Sequence, residues 1–257
     1  MSVGFNARGF HTLLVKEVRR FLKVTVQTVL TPMVTALLYL LVFGQALEAH
    51  VEVYPGIGYT AFLVPGLMMM SIIQNAFANS SSSLIQSKMT GNLVFVLLAP
   101  ISSLEFFAAF VLAAVVRGLL VALAVYAVAV LFVDLPLQHP WAIAVFAVIG
   151  SATLGALGVI AGIWADKYEQ LAGFQNFLIL PLSFLSGVFY SIHSLPGPWQ
   201  QVSQFNPFFY LIDGFRWGFF GQGDAEPMAS LEVSLGFLLL LGGLCLYLLH
   251  KGYKIRR

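Results

Sequence analysis

The side chains that could carry enzyme chemistry are few in this sequence, and their positions do not suit catalysis. Ser183 and Ser186 lie inside a long apolar run, but no histidine lies inside any such run to activate them. The apolar runs contain no pair of aspartates for an aspartyl mechanism, and no cluster of ligands has metal-binding spacing. We therefore predict that the chain is not an enzyme. The five histidines, all at or outside the ends of the apolar runs, are His11, His50, His139, His193 and His250.

Residues that could bind ATP or relay ions are also scarce. The sequence has no Gly-x-x-x-x-Gly-Lys-Ser/Thr phosphate-binding loop, so any ATP that drives this protein must bind to a separate chain. Carboxylates occur only near the ends of the apolar runs, as Glu105 does, whereas proton and sodium relays use carboxylates deep inside them. The lone cysteine, Cys245, excludes an internal disulfide. We expect no cofactor and no metal in this chain.

Arg117 is the ionisable side chain that lies well inside an apolar run. An arginine there costs about 2.5–3.5 kcal/mol on insertion scales, so it should pair with another group or face water. Glu105 is about 18 Å away along an ideal helix, too far to be the partner. Arg117 either has a structural role or lines a polar pathway. Pro65 and Gly66, in another run, indicate either a local kink or close packing.

The basic residues define how these runs must be arranged. Eleven of the thirteen Lys and Arg residues fall in four segments that alternate with the long apolar runs, which predicts that all four segments are cytoplasmic. The loops near residues 47–57, 133–140 and 194–229 carry six acidic residues and one base, Arg216, and are predicted to face the other side. The four basic segments contain Arg8, Lys16, Arg19, Arg20 and Lys23; Lys88; Lys167; and Lys251, Lys254, Arg256 and Arg257.

This alternation predicts an all-α membrane protein with six spans and both termini in the cytoplasm. The composition agrees, with 59% apolar and 9% charged residues. Each run has about 20 residues or more, enough for a hydrocarbon core of roughly 30 Å, and the first is too long for a cleavable signal peptide. The formal charge of +2 comes from bases beside span ends, not from a nucleic-acid footprint. We treat residues 1–257 as one domain, with spans at 24–46, 58–79, 104–133, 140–164, 171–193 and 230–250.

The N-terminal arm, residues 1–23, is predicted to be an amphipathic helix that lies in the cytoplasmic interface. It is either a simple topology anchor or an element that transmits force or controls lateral access. Its apolar face holds Phe10, Leu13, Leu14, Val18, Phe21 and Leu22, and its basic face holds Lys16, Arg19, Arg20 and Lys23.

The cytoplasmic loop 80–103 is too apolar for a solvated linker. Gly91 and Pro100 punctuate it, and residues 93–98 between them are all apolar, so we predict a short helix there. An exposed apolar face in the cytoplasm indicates either the groove of a partner protein or the membrane surface, and we favour the partner.

The external segment 194–229 is aromatic and interrupted by Pro196, Pro198 and Pro207. We predict two short re-entrant helices, with the aromatic side chains at headgroup depth and the segment roofing an internal cavity. These aromatic residues are Trp199, Phe208, Phe209, Tyr210, Trp217 and Phe219.

Along essentially its whole length the chain resembles the permease subunits of type-2 ABC exporters, the ABC-2 family, and within it the inner-membrane transport permeases. The individual matches are weak, but their order and spacing are specific. The matching stretches are KEVRRFLKVTVQTVLTP, LLVFG, FLVPGLMMMSII, LLAPIS, VRGLLV, SGVFYSIHSLPGPWQ and NPFFYLIDGFRWGFFG.

The resemblance implies a homodimer of six-span subunits in a bacterial inner membrane, paired with two copies of a soluble ATPase that binds ATP and Mg. It also implies roles for particular residues. Relatives usually carry acidic residues where this chain has Val94 and Phe95, which favours a hydrophobic seat on the ATPase. The implied interfacial helix includes Lys16, Glu17, Arg19, Arg20 and Phe21; the coupling helix Ser87, Lys88, Gly91, Asn92, Leu93, Val94, Phe95, Leu98 and Pro100; and the re-entrant motif Asn206, Pro207, Gly214, Phe215 and Arg216.

By this resemblance we expect ATP-driven alternating access, with Pro65, Gly66 and Arg117 in the pathway or its gate. The aromatic outer segment and the few lining charges favour a lipid-like, glycan-bearing or amphipathic substrate over a small ion. Two other classes remain open: an ion-coupled secondary carrier, and a membrane scaffold that recruits a soluble partner.

Overall fold

A computed structural model describes residues 5–48 and 52–254, so His50, Arg256 and Arg257 lie outside the described residues. The structure is almost entirely helical. Its α-helices are α1 Ala7–Leu22, α2 Thr31–Tyr39, α3 Gln45–Leu47, α4 Tyr59–Met89, α5 Leu93–Leu98, α6 Ser103–Ala129, α7 Pro140–Trp164, α8 Tyr168–Phe174, α9 Leu180–Phe184, α10 Gly197–Gln204, α11 Pro207–Phe220 and α12 Pro227–Lys251. Wider π-helical turns cover Val26–Leu30, Leu40–Gly44 and Gln175–Ile179, a 3₁₀ turn covers Ile192–Ser194, and the strands are β1 Glu52–Tyr54 and β2 Ile57–Gly58.

Within the described residues, five helical segments are long and apolar enough to cross a membrane: Val26–Gly44, α4, α6, α7 and α12. The α7 boundaries agree with the predicted span at 140–164. The segment expected at 171–193 differs, because its helix begins at Tyr168 and ends at Phe184, and turns follow. In the most apolar 18-residue stretch of each segment, 78% of the residues of α4 and 72% of those of α7 are buried, compared with 17% for Val26–Gly44. The helices α4 and α7 therefore form the centre of the bundle.

Small residues allow α4 and α7 to approach closely. A Cβ at Gly158 would lie 2.5 Å from the Phe77 carbonyl oxygen, and one at Gly162 would lie 2.7 Å from Leu84 Cβ. Glycines at this spacing are typical of close helix contacts in membranes.

The helix α4 also corrects the predicted boundary at Asn79, since it continues through the serine run to Met89. Within that run, the Ser81 hydroxyl donates to the Phe77 carbonyl over 2.8 Å, so the hydroxyl bonds back to its own helix and does not interrupt it.

The structure is mostly helical, as predicted, and contains a small antiparallel hairpin. Strands β1 and β2 pair Glu52 with Gly58 and Tyr54 with Ile57. Gly56 forms the turn with φ +76°, a left-handed conformation that glycine adopts without strain. The Glu52 carboxylate accepts a hydrogen bond from the Gly56 amide over 2.7 Å.

The bundle has two chemically different ends. At one, Leu13, Leu93, Phe106, Ile163 and Leu249 share a buried cluster, which brings α1, α5, the start of α6 and the ends of α7 and α12 together. We call this the basic end. The opposite end, which we call the acidic end, contains the β-hairpin, residues 130–139, the 3₁₀ turn, the last turn of α11 and residues 221–226.

Candidate functional site

The predicted amphipathic helix is present as α1, and it is docked on the basic end through Leu13, Glu17 and Phe21, all of which are buried. Glu17 therefore lies on the buried face, between apolar neighbours. Its carboxylate is 3.3 Å from Arg20 Nε and 3.5 Å from Lys16 Nζ. These bases pair with the buried charge, although Glu17 Oε1 has no hydrogen-bond partner among the described residues, and Arg19 points to solvent.

Arg20 connects α1 to α4. Its guanidinium donates to the Asn79 carbonyl over 2.6 Å and to Ser82 Oγ over 3.3 Å. Because Arg presents several donors in a fixed plane, one side chain can hold both the Glu17 carboxylate and the neighbouring helix. Sequence reasoning placed Arg20 on the solvent face of the arm and did not anticipate this contact.

The start of α1 is tied to the segment that follows α5. The Asn6 side chain accepts a bond from the Gly9 amide over 2.9 Å and donates to the Pro100 carbonyl over 3.1 Å. The Asn6 amide donates to the Glu105 carboxylate, which also accepts from the Ser102 amide over 2.6 Å in a capping box at the start of α6. These bonds connect the segment after α5 directly to the starts of α1 and α6.

The predicted short helix between Gly91 and Pro100 is present as α5. Gly91 ends α4 with φ +72°, and Leu93 anchors α5 with only 6% of its surface exposed. The opposite face is open: Val94, Phe95 and Leu98 are 57%, 73% and 77% exposed. This face combines large apolar side chains with high accessibility.

The remaining residues of the predicted coupling segment have two different settings. Lys88 Nζ donates to the Ala165 carbonyl over 2.9 Å and to the Ile163 carbonyl, so it caps the end of α7. Ser87 and Asn92 instead line a cleft of about 360 Å³ that also contains Lys16 and Arg20.

Arg117 has a partner that sequence reasoning missed. Its guanidinium donates to Asn75 Oδ1 on α4, with distances of 2.9 Å from the terminal nitrogen and 3.3 Å from Nε. Asn75 is a polar residue inside an apolar run, and that is the signal in the sequence that could have indicated it.

Gly66 allows a close backbone approach. A Cβ at this position would lie 2.7 Å from the Val188 carbonyl oxygen and 3.2 Å from a guanidinium nitrogen of Arg216. Pro65 is buried within the continuous helix α4. Of the two interpretations, these contacts favour close packing for Gly66.

Arg216 is buried completely, which corrects the expectation of a lone base in an external loop. Its guanidinium donates to the Gly187 carbonyl over 2.7 Å and lies 3.9 Å from the centre of the Phe62 ring. A cation stacked on an aromatic face and bonded to carbonyls can be buried where a free one could not. The prediction that Arg216 lies in an external loop was wrong, because residues 207–220 fold as the core helix α11.

Two aspartates complete this part of the acidic end. Asp213 is buried and accepts bonds from the Asp224 amide over 2.7 Å and the Ala225 amide over 3.0 Å. The Asp224 carboxylate accepts from Tyr54 Oη over 2.9 Å and Ser191 Oγ over 2.7 Å. Burial raises the pKa of Asp213 to about 6. We refer to Tyr54, Ser191, Asp213 and Asp224 as the acidic-end network, which sequence reasoning did not identify.

The remaining motif residues of α11 shape its packing. The Asn206 side chain caps the helix at the Phe208 amide over 3.0 Å and donates to the Leu182 carbonyl over 2.6 Å, and Pro207 occupies the first turn. A Cβ at Gly214 would overlap the Phe146 ring.

The aromatic residues of α11 correct one expectation. Phe208, Phe209 and Phe219 are buried in the core and do not lie at its surface, although Trp199 on α10 is 53% exposed. Phe215 and Phe219 border an apolar cavity of about 330 Å³ between α4, α6, α7 and α11.

Long apolar helices, a docked amphipathic helix and an exposed apolar helix at one end are typical of a polytopic membrane protein. Comparison with known proteins gives the family: the profile of the ABC-2 type transporter family matches residues 8–220, and the chain belongs to this family. Membership implies an ABC ATPase as the partner in general.

Individual relatives agree with this assignment. The chain is 36% identical over 243 residues, 94% of either chain, to the inner membrane transport permease YadH of Escherichia coli strain K12. Two other relatives match over shorter stretches. The chain is 31% identical over 100 residues to nodulation protein J of Rhizobium leguminosarum bv. viciae, which is 39% of this chain and 37% of that protein. It is 32% identical over 104 residues to the capsule polysaccharide export inner-membrane protein BexB of Haemophilus influenzae, which is 38% of each protein.

Proposed function

We propose that this protein is the six-span permease subunit of an ATP-driven exporter in the bacterial inner membrane, with α5 as the helix that docks on a separate ATPase. The observation that carries the proposal is the exposed apolar face of Val94, Phe95 and Leu98, held at the basic end by buried Leu93. An apolar face exposed to water has a natural function as a contact with a groove in a partner.

The direction of the chain supports the count of six. Asp166 is 3.0 Å from Lys254 at the basic end, and Ser191 Oγ is 2.7 Å from Asp224 at the acidic end. The chain therefore passes from one end to the other between residues 166 and 191, and we count the helical stretch from Tyr168 to Phe184 as the sixth crossing, fifth in chain order. With the basic end inside, both termini are cytoplasmic.

The re-entrant assignment for α10 and α11 rests on similar geometry. These helices lie between Ser191 and Asp224, which are hydrogen-bonded to each other, so the chain starts and finishes this excursion at the acidic end. The contact of Asn206 with the Leu182 carbonyl of α9 supports a turning point below that end.

The contacts of α1 favour a role beyond that of an anchor. Asn6 joins α1 to Pro100, and Arg20 joins it to α4, so displacement of α5 by an ATPase would move α1 and the spans together. We propose that two copies of the permease and two ATPases form the transporter, that ATP and Mg bind to the ATPases, and that ATPase closure drives alternating access.

For the substrate we favour a lipid-like, glycan-bearing or amphipathic molecule. The similarity to a capsule polysaccharide export protein supports the glycan-bearing class. The hydrogen bond between Arg117 and Asn75 supports a structural role for Arg117. The Arg117 side chain is also partly accessible, which is compatible with lining the pathway.

The test is to purify the chain with whatever ATPase accompanies it, reconstitute the complex in liposomes, and measure ATP hydrolysis and substrate movement for Leu98→Glu and Phe95→Asp. We expect both variants to insert normally and to lose coupled transport by about tenfold or more, because a charge on this face must be desolvated in an apolar groove. The matched control is Met228→Glu, which is 59% exposed beside residues 221–226 of the opposite end.

Normal coupling in Leu98→Glu and Phe95→Asp would contradict α5 as the docking helix. Transport that survives ATP depletion and stops when the proton gradient collapses would instead favour a secondary carrier. Recovery of the chain without an ATPase, in several mild detergents, would favour a scaffold.

A further inference from the structure

The cleft of about 360 Å³ at the basic end places hydroxyl groups opposite cations. From α4 and its C-cap residue it takes Ser83, Ser87 and Thr90, which recur at positions i, i+4 and i+7 and therefore share one helix face. From α1 it takes Lys16 and Arg20, which are one turn apart. The other lining residues are Gln86, Asn92, Phe95 and Val96.

Ser83 gives the cleft an unmet hydrogen-bond requirement. Its side chain is 1% exposed, and its Oγ has no hydrogen-bond partner among the described residues. The neighbouring hydroxyls of Ser81 and Ser82 both donate to carbonyls of their own helix. Of the buried hydroxyls that lack a partner among the described residues, that of Ser83 is the one that lines this cleft, where a ligand atom can supply the missing hydrogen bond.

The charge of the cleft favours an anion. Two cations, Lys16 and Arg20, share one carboxylate, Glu17, at 3.5 and 3.3 Å, so one positive charge is left over. Lys16 has three donors and a side chain that is 46% exposed, so it can reach a second acceptor. A phosphate group suits this arrangement because its several oxygens can accept from hydroxyls on one side and from cations on the other.

We propose that this cleft binds a phosphate group, with Lys16 and Arg20 neutralising its charge and Ser83 and Ser87 donating hydrogen bonds. The phosphate would belong to an anionic phospholipid headgroup or to a soluble phosphate compound. Both sources are chemically reasonable, because an amphipathic helix such as α1 lies where anionic headgroups are concentrated. The proposal does not rest on the transport function proposed above.

The test uses the full chain in nanodiscs. In the lipid arm, discs contain phosphatidylcholine with a minor fraction of phosphatidylglycerol, and native mass spectrometry measures the anionic lipid retained on the protein. In the soluble arm, discs contain phosphatidylcholine alone, and phosphorus NMR follows binding of inorganic phosphate. The variants are Ser83→Ala, which removes the unpaired hydroxyl, and Lys16→Gln, which removes one charge.

Two matched controls separate the cleft from general effects. Ser80→Ala removes another buried serine hydroxyl of α4, unpaired among the residues in the structure, that packs toward Gly155 and Gly158 and does not line the cleft. Lys23→Gln removes a nearby exposed charge that likewise does not line it. Size-exclusion profiles check that each variant remains folded.

We expect Ser83→Ala and Lys16→Gln each to weaken binding by about tenfold, and the two controls to change it little. Loss in the lipid arm identifies a headgroup as the source, and loss only in the soluble arm identifies a free phosphate compound. Equal loss in Lys16→Gln and Lys23→Gln, with none in Ser83→Ala, would show diffuse attraction to a basic surface and overturn the proposal. So would the absence of binding in both arms.

Discussion

The two ends of this bundle handle charge in opposite ways. At the acidic end, Asp213 and Arg216 are buried, and their hydrogen bonds go to groups of the same chain. At the basic end, Glu17 is buried against its bases, but Lys16 and Arg19 remain accessible, as does the apolar face that contains Phe95.

This difference indicates a division of work. Charged groups buried against their own chain restrain its packing, whereas exposed apolar and cationic groups are available for contact with another molecule. We therefore expect substitutions at the acidic end to act on stability, and those at the basic end to act on docking and local order.

The largest expected effect is that of Arg216→Ala. Removing the buried guanidinium leaves a cavity beside Phe62 and removes a positive charge close to the buried Asp213 carboxylate, so we expect a loss of about 3 kcal/mol or more in unfolding free energy. Thermal unfolding of the detergent-purified protein measures it. Arg19→Ala, an exposed arginine at the other end, should change stability by less than about 0.5 kcal/mol. Equal effects of the two changes would remove the distinction between the ends.

Next is Gly66→Ala, which places a methyl group 2.7 Å from the Val188 carbonyl oxygen. Because backbone must shift to admit it, we expect a cost of about 1–3 kcal/mol, measured by the same unfolding experiment. The control is Gly243→Ala on α12, where no atom of the described residues lies within 4 Å of the added Cβ. That variant should be neutral or slightly stabilising, since alanine favours a helix over glycine.

A smaller and more local effect is expected for Glu17→Ala at the basic end. The change leaves Arg20 and Lys16 without their carboxylate, which should loosen α1 by about 1–2 kcal/mol. Hydrogen exchange should become faster across α1 and unchanged across α11. Faster exchange in both helices would mean that the two ends are one cooperative unit.

The last prediction is a dependence of stability on pH. Because burial raises the pKa of Asp213 to about 6, the folded protein keeps a proton there that the unfolded chain releases at lower pH. This contribution favours folding at acidic pH and is lost as the pH rises toward about 6. Unfolding midpoints between pH 4 and pH 7 should show a component that Asp213→Asn abolishes. An unchanged profile in Asp213→Asn would assign the pH dependence to other groups.

The sequence by itself determined the class of structure and much of its layout. Runs of about 20 apolar residues predict membrane helices because of the thickness of a bilayer. The spacing of Leu13 and Phe21 predicts α1, and the apolar stretch between Gly91 and Pro100 predicts α5; both helices are present. These inferences succeed because periodicity and turn residues act over a few neighbouring positions.

Only the tertiary structure decided which polar groups are buried and what they bind. Tyr54 bonds to Asp224 across 170 residues of sequence, and Arg117 bonds to Asn75 across 42. From the sequence, Asp213 and Arg216 are predicted to be external charges. Both are in the core, because α11 packs against α4, α7 and α12. The physical reason is that the free energy of a buried charge depends on partners brought close by packing, and sequence neighbours do not reveal those partners.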